Sequence, residues 1–229
     1  MKNYILWILA VVCLVACKKI PSKTTTYSHD FEMVKGDPSN TLIYTLENGL
    51  KVYLSVNELE PRIQTLIAVK AGSKFDPEET TGLAHYLEHM MFKGTHNMGT
   101  KDWSSEKDIL DQIAATFEQH KEEKNPKQKV ALYAKIDSLS LEASKFAIAN
   151  EYDKMVSSLG AKGTNAYTSN DETVYMNDIP SNEIEKWLKL EGERFQTLVL
   201  RLFHTELETV YEEFNRSQDS DNRWVYQGV

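Results

Sequence analysis

The order of elements in this chain predicts an α+β fold, a mostly antiparallel sheet packed with helices. Three observations carry that prediction. Strand-like segments fall at residues 41–56, 63–69, 164–168 and 173–176. Segments with a helical repeat of apolar residues separate them and follow the last. One long helical stretch, residues 103–149, stands as an excursion between the strand groups.

Each element has a local justification. Residues 41–56 alternate apolar and polar side chains about Asn48-Gly49. That dipeptide favours a two-residue hairpin turn, because both turn positions need φ > 0. Residues 63–69 are rich in β-branched side chains, and Ala71-Gly72-Ser73 breaks the strand. Asp76-Pro77-Glu78-Glu79-Thr80 leads into a helix with Thr80 or Thr81 as N-cap. Leu83, Leu87, Met90 and Met91 form its apolar side, and Gly94 is its stop. Residues 103–149 predict an amphipathic helical hairpin inserted at the surface. Ile109, Leu110, Ile113, Ala114 and Phe117 line its first helix; Leu132, Ile136, Leu139 and Leu141 line its second, with Asn125-Pro126 at the turn. A further helix over residues 150–159 ends at Gly160-Ala161-Lys162-Gly163. Two strands joined at Ser169-Asn170-Asp171 follow. Then comes a helix over residues 181–195, capped by Ser181, with Ile184, Trp187, Leu188, Leu190 and Glu191 along one stripe. A last helix covers residues 205–214.

The chain has 229 residues, enough for one sizeable domain with an insertion, and a formal charge of −8. An acidic chain lacks the basic face that phosphates need, so nucleic acid is not the expected partner. Residues 1–16 read as a signal peptide: Lys2 gives a positive start, and the apolar run after it is too short to span a bilayer. Leu14-Val15-Ala16-Cys17 is similar to a bacterial lipobox. That resemblance implies cleavage before Cys17 and a diacylglyceryl group on its thiol. The protein would then be lipid-anchored through Cys17 in a bacterial cell envelope, on the inner or outer membrane, with its domain in the periplasm. Residues 17–40 read as a polar tether and residues 41–229 as the folded module. Cys13 would leave with the signal. The mature chain would keep no thiol for a disulfide or a metal, so any metal ligands are His and carboxylates.

The chemistry is concentrated in residues 80–95, which contain His85-x-x-Glu88-His89. Two His four apart share one helix face, and neutral imidazoles at that spacing can grip one Zn²⁺. Glu88 is placed to touch the water that such an ion activates. This is the inverted order of the H-E-x-x-H zinc protease signature. A catalytic zinc takes a third protein ligand, and the last helix offers Glu206, Glu208, Glu212 and Glu213. Glu206 and Glu213 share one face, and Glu208 and Glu212 another. Spacing alone does not choose among them.

These motifs resemble the pitrilysin–insulysin family of zinc peptidases, which includes the mitochondrial processing peptidase. The matching pieces are Ala71-Gly72-Ser73, the run from Gly82 to Thr95, Asn165-Ala166-Tyr167-Thr168, and the helix carrying Glu206 and Glu213. The resemblance implies that family's sheet-plus-helices metallohydrolase module and one Zn²⁺ per chain, held by His85, His89 and Glu213. It implies Glu88 as general base, and Glu206 as a carboxylate behind the ligands that orients one of them. It also implies a peptide substrate bound as an added strand along Asn165, Ala166 and Tyr167. The gap from His89 to Glu213 is longer than the family's spacing by about the length of the 103–149 hairpin; loop length costs little entropy per added residue. Family members resemble two homologous halves closing on the substrate, and this chain stops at Val229. The expectation is therefore a zinc endopeptidase module, shortened at its C-terminus, that takes its second half from a homologous subunit. The alternative is a truncated, non-catalytic peptide-binding or partner subunit.

Overall fold

The computed structural model describes residues 30–218. The expected signal peptide, the lipidated Cys17 and the first part of the tether lie outside the described residues. Packing of the chain divides it between Glu60 and Pro61 into two compact units.

In the first unit, β1 (Leu42–Thr45) pairs antiparallel with β2 (Lys51–Leu54), Thr45 opposite Lys51. The turn corrects the sequence expectation. Leu46 N–H donates to Leu50 O at 2.9 Å, and Gly49 N–H to Leu46 O at 2.9 Å. The loop is thus three residues, Glu47-Asn48-Gly49, with Gly49 alone in the left-handed region at φ 85°. A type I turn followed by one left-handed glycine gives the strands their twist without forcing Asn48 to positive φ. Asn48 instead accepts the Leu50 N–H on its side chain at 3.1 Å. Part of the stretch expected as tether also pairs with this unit. Glu32 and Ile43 exchange two backbone hydrogen bonds of 2.9 Å, and the Asp37 carboxylate accepts from the N–H groups of Ser39 and Thr41.

In the second unit, β3 (Arg62–Val69), β4 (Lys162–Thr168) and β5 (Thr173–Pro180) form an antiparallel sheet ordered β3-β5-β4. With its packed helices this is the predicted α+β fold. The central strand β5 runs four residues further than its apolar segment implied. It continues because Asn177, buried in the extension, has its amide satisfied. Its Oδ1 accepts from Trp187 Nε1 at 2.8 Å and from the Tyr152 hydroxyl at 3.1 Å, and its Nδ2 donates to Thr164 Oγ1. Tyr175 sits opposite Ile67 on one side and Ala166 on the other. β4 is an outer strand among the described residues, and its ladder is irregular between Lys162 and Asn165, where Gly163 is left-handed.

Helix α1 (Leu83–Met90) packs on β4 and β5. Its N-cap is Gly82 at φ 93°, not Thr80 or Thr81. Asp76 caps it from a distance, accepting the N–H groups of Gly82 at 2.7 Å and Ala84 at 2.9 Å. Met90 and Met91 are buried as expected, whereas Leu83 and Leu87 are exposed. Glu88 is buried on this helix. Past Met90 the chain makes tighter turns to Gly94, which takes φ 103°.

Helices α2 (Trp103–Glu122) and α3 (Pro126–Ser144) make an antiparallel hairpin around Ile113, Ile136 and Ala143. Asp102 caps the first through Ser105 N–H, and Asn125 caps the second through Lys127 N–H. In α4 (Glu151–Ser158), Tyr152 and Val156 pack with Met98 and with Leu190 of α5 (Ile184–Gln196). Ser181 does not cap α5. It opens a single 3-10 turn, and its N–H bonds Pro61 O at 3.0 Å. The buried stripe of α5 is Trp187, Leu190, Glu191 and Arg194, while Leu188 faces solvent. Helix α6 (Phe203–Gln218) starts two residues before the expected point, directly after Leu202 at φ 57°.

Candidate metal centre

Helices α1 and α6 lie side by side. The Tyr86 hydroxyl on α1 donates to Phe203 O at the start of α6 at 2.6 Å. Burial, helped by the nearby Glu206 charge, pushes that hydroxyl up to about 12, so it remains a donor. The pairing brings His85 and His89 from one helix against Glu206 and Glu213 from the other.

His85 Nε2 and His89 Nε2 are 3.2 Å apart, and each is 3.5 Å from Glu213 Oε2. Two imidazoles and a carboxylate thus aim one atom each at a common point. Ligands at about 2.0–2.1 Å from a tetrahedral ion stand roughly 3.3 Å from one another, so this donor set fits Zn²⁺ closely. Glu213 is the carboxylate of α6 that joins both histidines.

Behind this donor set, His89 Nδ1 meets Glu206 Oε1 at 2.8 Å. With the Nδ1 proton held there, the Nε2 lone pair is left to face a metal. The other oxygen of Glu206 takes a hydrogen bond from Lys93 Nζ at 2.5 Å. Burial would raise the Glu206 pKa, but the hydrogen bonds from His89 and Lys93 outweigh it and hold the carboxyl below its usual range. The Glu206 contact is also the main cause of a raised pKa at His89. Burial opposes that rise, and the charges of Glu213, Glu206 and Glu88 add to it.

Glu88 follows a different path. Its Oε2 accepts from Thr168 Oγ1 at 2.5 Å. Thr168 Oγ1 also lies 3.3 Å from Thr173 Oγ1, whose hydroxyl donates to Ala71 O. Asn165, Ala166 and Tyr167 occupy β4 just before Thr168, in register with Met176, Tyr175 and Val174. The outer strand therefore ends at the residue that hydrogen-bonds Glu88. His85, Glu88, His89, Glu206 and Glu213 were all expected from the sequence and its resemblance, whereas Lys93 and Thr168 had no expected role. Lys93 carried a signal, since it lies one helical turn beyond His89; Thr168 carried none outside the strand pattern.

Two imidazoles and a carboxylate on an α+β scaffold form a donor set that could hold a metal ion. A family model, Insulinase (Peptidase family M16), matches residues 51–125. A probable mitochondrial-processing peptidase subunit beta from Arabidopsis thaliana is 46% identical over 55 residues, 24% of this chain and 10% of that protein. An uncharacterized zinc protease from Rickettsia felis is 22% identical over 190 residues, 82% of this chain and 34% of the relative. Among solved structures, the first half of the periplasmic protease PqqL from Escherichia coli superposes with a TM-score of 0.55 at 19% identity, over 86% of this chain and 33% of that one. Residues 51–125 are thus similar to the insulinase family of peptidases, the pitrilysin–insulysin group. The chain spans about a third or less of the length of these relatives.

Proposed function

We propose that this chain is the catalytic module of a zinc-dependent endopeptidase acting on peptides or unfolded polypeptides. The observation that carries the proposal is the convergence of His85 Nε2, His89 Nε2 and Glu213 Oε2, with buried Glu88 on the helix of the two histidines. One Zn²⁺ held there would supply a Lewis acid for the scissile carbonyl and acidify water toward neutral pH. The protein's own groups do the rest. Glu88 accepts the proton of the attacking water and delivers it to the leaving amine. Thr168 holds the Glu88 carboxylate in place. The outer edge of β4 at Asn165, Ala166 and Tyr167 accepts the peptide as an added strand, pairing with backbone groups that every peptide shares. Glu206 keeps His89 in the tautomer that binds metal.

The test is Glu88→Gln in the full chain, assayed on a quenched peptide with zinc content measured alongside. The variant should keep its zinc and lose hydrolysis. Cleavage at the wild-type rate would discard the mechanism.

The likeness to a mitochondrial-processing peptidase subunit beta and to the first half of PqqL supports a further element, a second homologous half. If the isolated chain binds peptide without cutting it and gains activity only with such a partner, it is one half of a two-chain enzyme. If no partner restores cutting, it is a binding subunit. Size exclusion followed by the peptide assay separates these outcomes. We also propose attachment to a bacterial envelope membrane through lipidated Cys17. Cys17→Ala should move the protein from the membrane to the soluble fraction.

A further inference from the structure

We infer that Lys93 is a positioning residue for the metal ligand His89, acting through Glu206. The inference rests on the metal reading above and extends it to a side chain outside the ligand set. A lysine on a surface usually roams, and an exposed ion pair is worth little. Lys93 is differently placed. Its Nζ sits 2.5 Å from Glu206 Oε2, with side-chain exposures of 22% for Lys93 and 11% for Glu206.

Its backbone is pinned as well. Lys93 O accepts from Arg201 Nη1 at 2.9 Å, and Thr95 O from Arg201 Nη2 at 3.0 Å. Arg201 is itself buried and held by Glu106 of α2, Nε to Oε1 at 2.5 Å and Nη2 to Oε2 at 2.8 Å. Gly94 and Gly99 let the loop wrap this closely. A Cβ on Gly94 would stand 2.2 Å from Met98 O, and one on Gly99 would stand 2.8 Å from Arg201 Nη1. A continuous chain of contacts therefore runs from Glu106 through Arg201, Lys93 and Glu206 to His89.

Charge alone and positioning predict opposite signs. As a bare positive charge, Lys93 repels a divalent cation, and removing it would tighten zinc binding. As the group that occupies Glu206 Oε2, it fixes the carboxylate so that Oε1 holds the Nδ1 proton of His89. Removing it would then loosen zinc. Groups that orient metal-ligating histidines are typically worth 10–100-fold in affinity.

The experiment measures the zinc Kd of the full chain by competition with a chromophoric chelator. Wild type is compared with Lys93→Met, Lys93→Arg, Glu206→Gln and the Lys93→Met/Glu206→Gln double variant. Lys93→Met should bind zinc about 10–100-fold more weakly, and Lys93→Arg should recover most of that loss. The double variant should be no weaker than Glu206→Gln alone, because both changes break one chain of contacts. A second readout needs no zinc: the ¹⁵N shifts of the His89 ring in the metal-free protein should move from the Nδ1–H tautomer toward Nε2–H in Lys93→Met. Unchanged or tighter zinc binding with an unchanged tautomer, or additive losses in the double variant, overturns the positioning role while leaving the metal site standing. Wild-type protein that binds no zinc, or binds it equally well after His85→Ala, overturns the metal reading and this inference with it.

Discussion

Around Arg194, charge is turned inward. The guanidinium lies 4.3–5.4 Å from the ring centres of Phe92, Tyr152, Tyr175 and Phe195 and forms an ion pair with Glu191. Glu191 also accepts from the Tyr152 hydroxyl at 2.8 Å, and Tyr152 ties the cluster to Asn177 and Trp187. Around His89 the same kinds of groups are arranged to another end. Nδ1 is bound to Glu206, but Nε2, His85 Nε2 and Glu213 Oε2 converge on one point. Two of these donors are also less buried, with side-chain exposures of 39% for His85 and 42% for Glu213. One cluster pairs its charges inside the protein, with Arg194 Nη1 left without a hydrogen-bond partner among the described residues. The other turns three donor atoms toward one point, a geometry that could hold a cation.

The sharpest way to separate the two is to remove a ligand. His85→Ala should abolish stoichiometric zinc and leave the metal-free melting temperature nearly unchanged, as metal analysis and calorimetry would show. Loss of folding instead would mean the histidine pair is a structural element like the Arg194 cluster. The converse change, Glu191→Ala, strands Arg194 in the interior and should cost about 3–5 kcal/mol in urea unfolding. The folded fraction should still bind zinc with wild-type affinity. A cost within experimental error would show that the rings alone hold the guanidinium. Tyr152→Phe is milder. It deprives Glu191 and Asn177 of a donor and should cost about 1–3 kcal/mol by the same measurement.

The pH dependence of the metal centre sharpens the contrast. His89 in the metal-free chain has a pKa raised above 6.5, chiefly by Glu206. Its charged contact therefore stabilises the metal-free fold fully below about pH 6.5, and that contribution is lost as pH rises through the raised value. Zinc needs the neutral ring, so its affinity should run the other way, falling as pH drops below that same value. Thermal melts with and without zinc across pH 5–9, as about the range over which His titrates, should show opposite slopes. Parallel slopes would remove His89 from the ligand set. The smallest effect is expected at Leu188. Leu188→Ser should change stability by no more than about 0.5 kcal/mol, since its side chain faces solvent.

The α+β class and the histidine helix were legible because they rest on local patterns. Period-two strands and a five-residue motif need no distant partner to be seen. The details that failed depend on distant contacts. Asp76 caps α1 from six residues before Gly82, which no adjacent-residue rule anticipates. Leu188 has the spacing of a buried residue, but the interior goes to Glu191 and Arg194, whose charges satisfy each other. Spacing left the α6 carboxylates undecided, and only the pairing of α6 with α1 puts Glu213 against both histidines. Thr168 and Arg201 were unreadable for the same reason, since their partners lie 80 and 95 residues away in the chain.

One cation held by two imidazoles and a carboxylate across α1 and α6 has a distinct signature in X-ray absorption at the zinc edge on the purified full chain. The expected spectrum shows one zinc per chain with nitrogen and oxygen neighbours at about 2.0–2.2 Å, two of them imidazole. Sulfur in the coordination sphere, or a spectrum unchanged in His89→Ala, would refute that site.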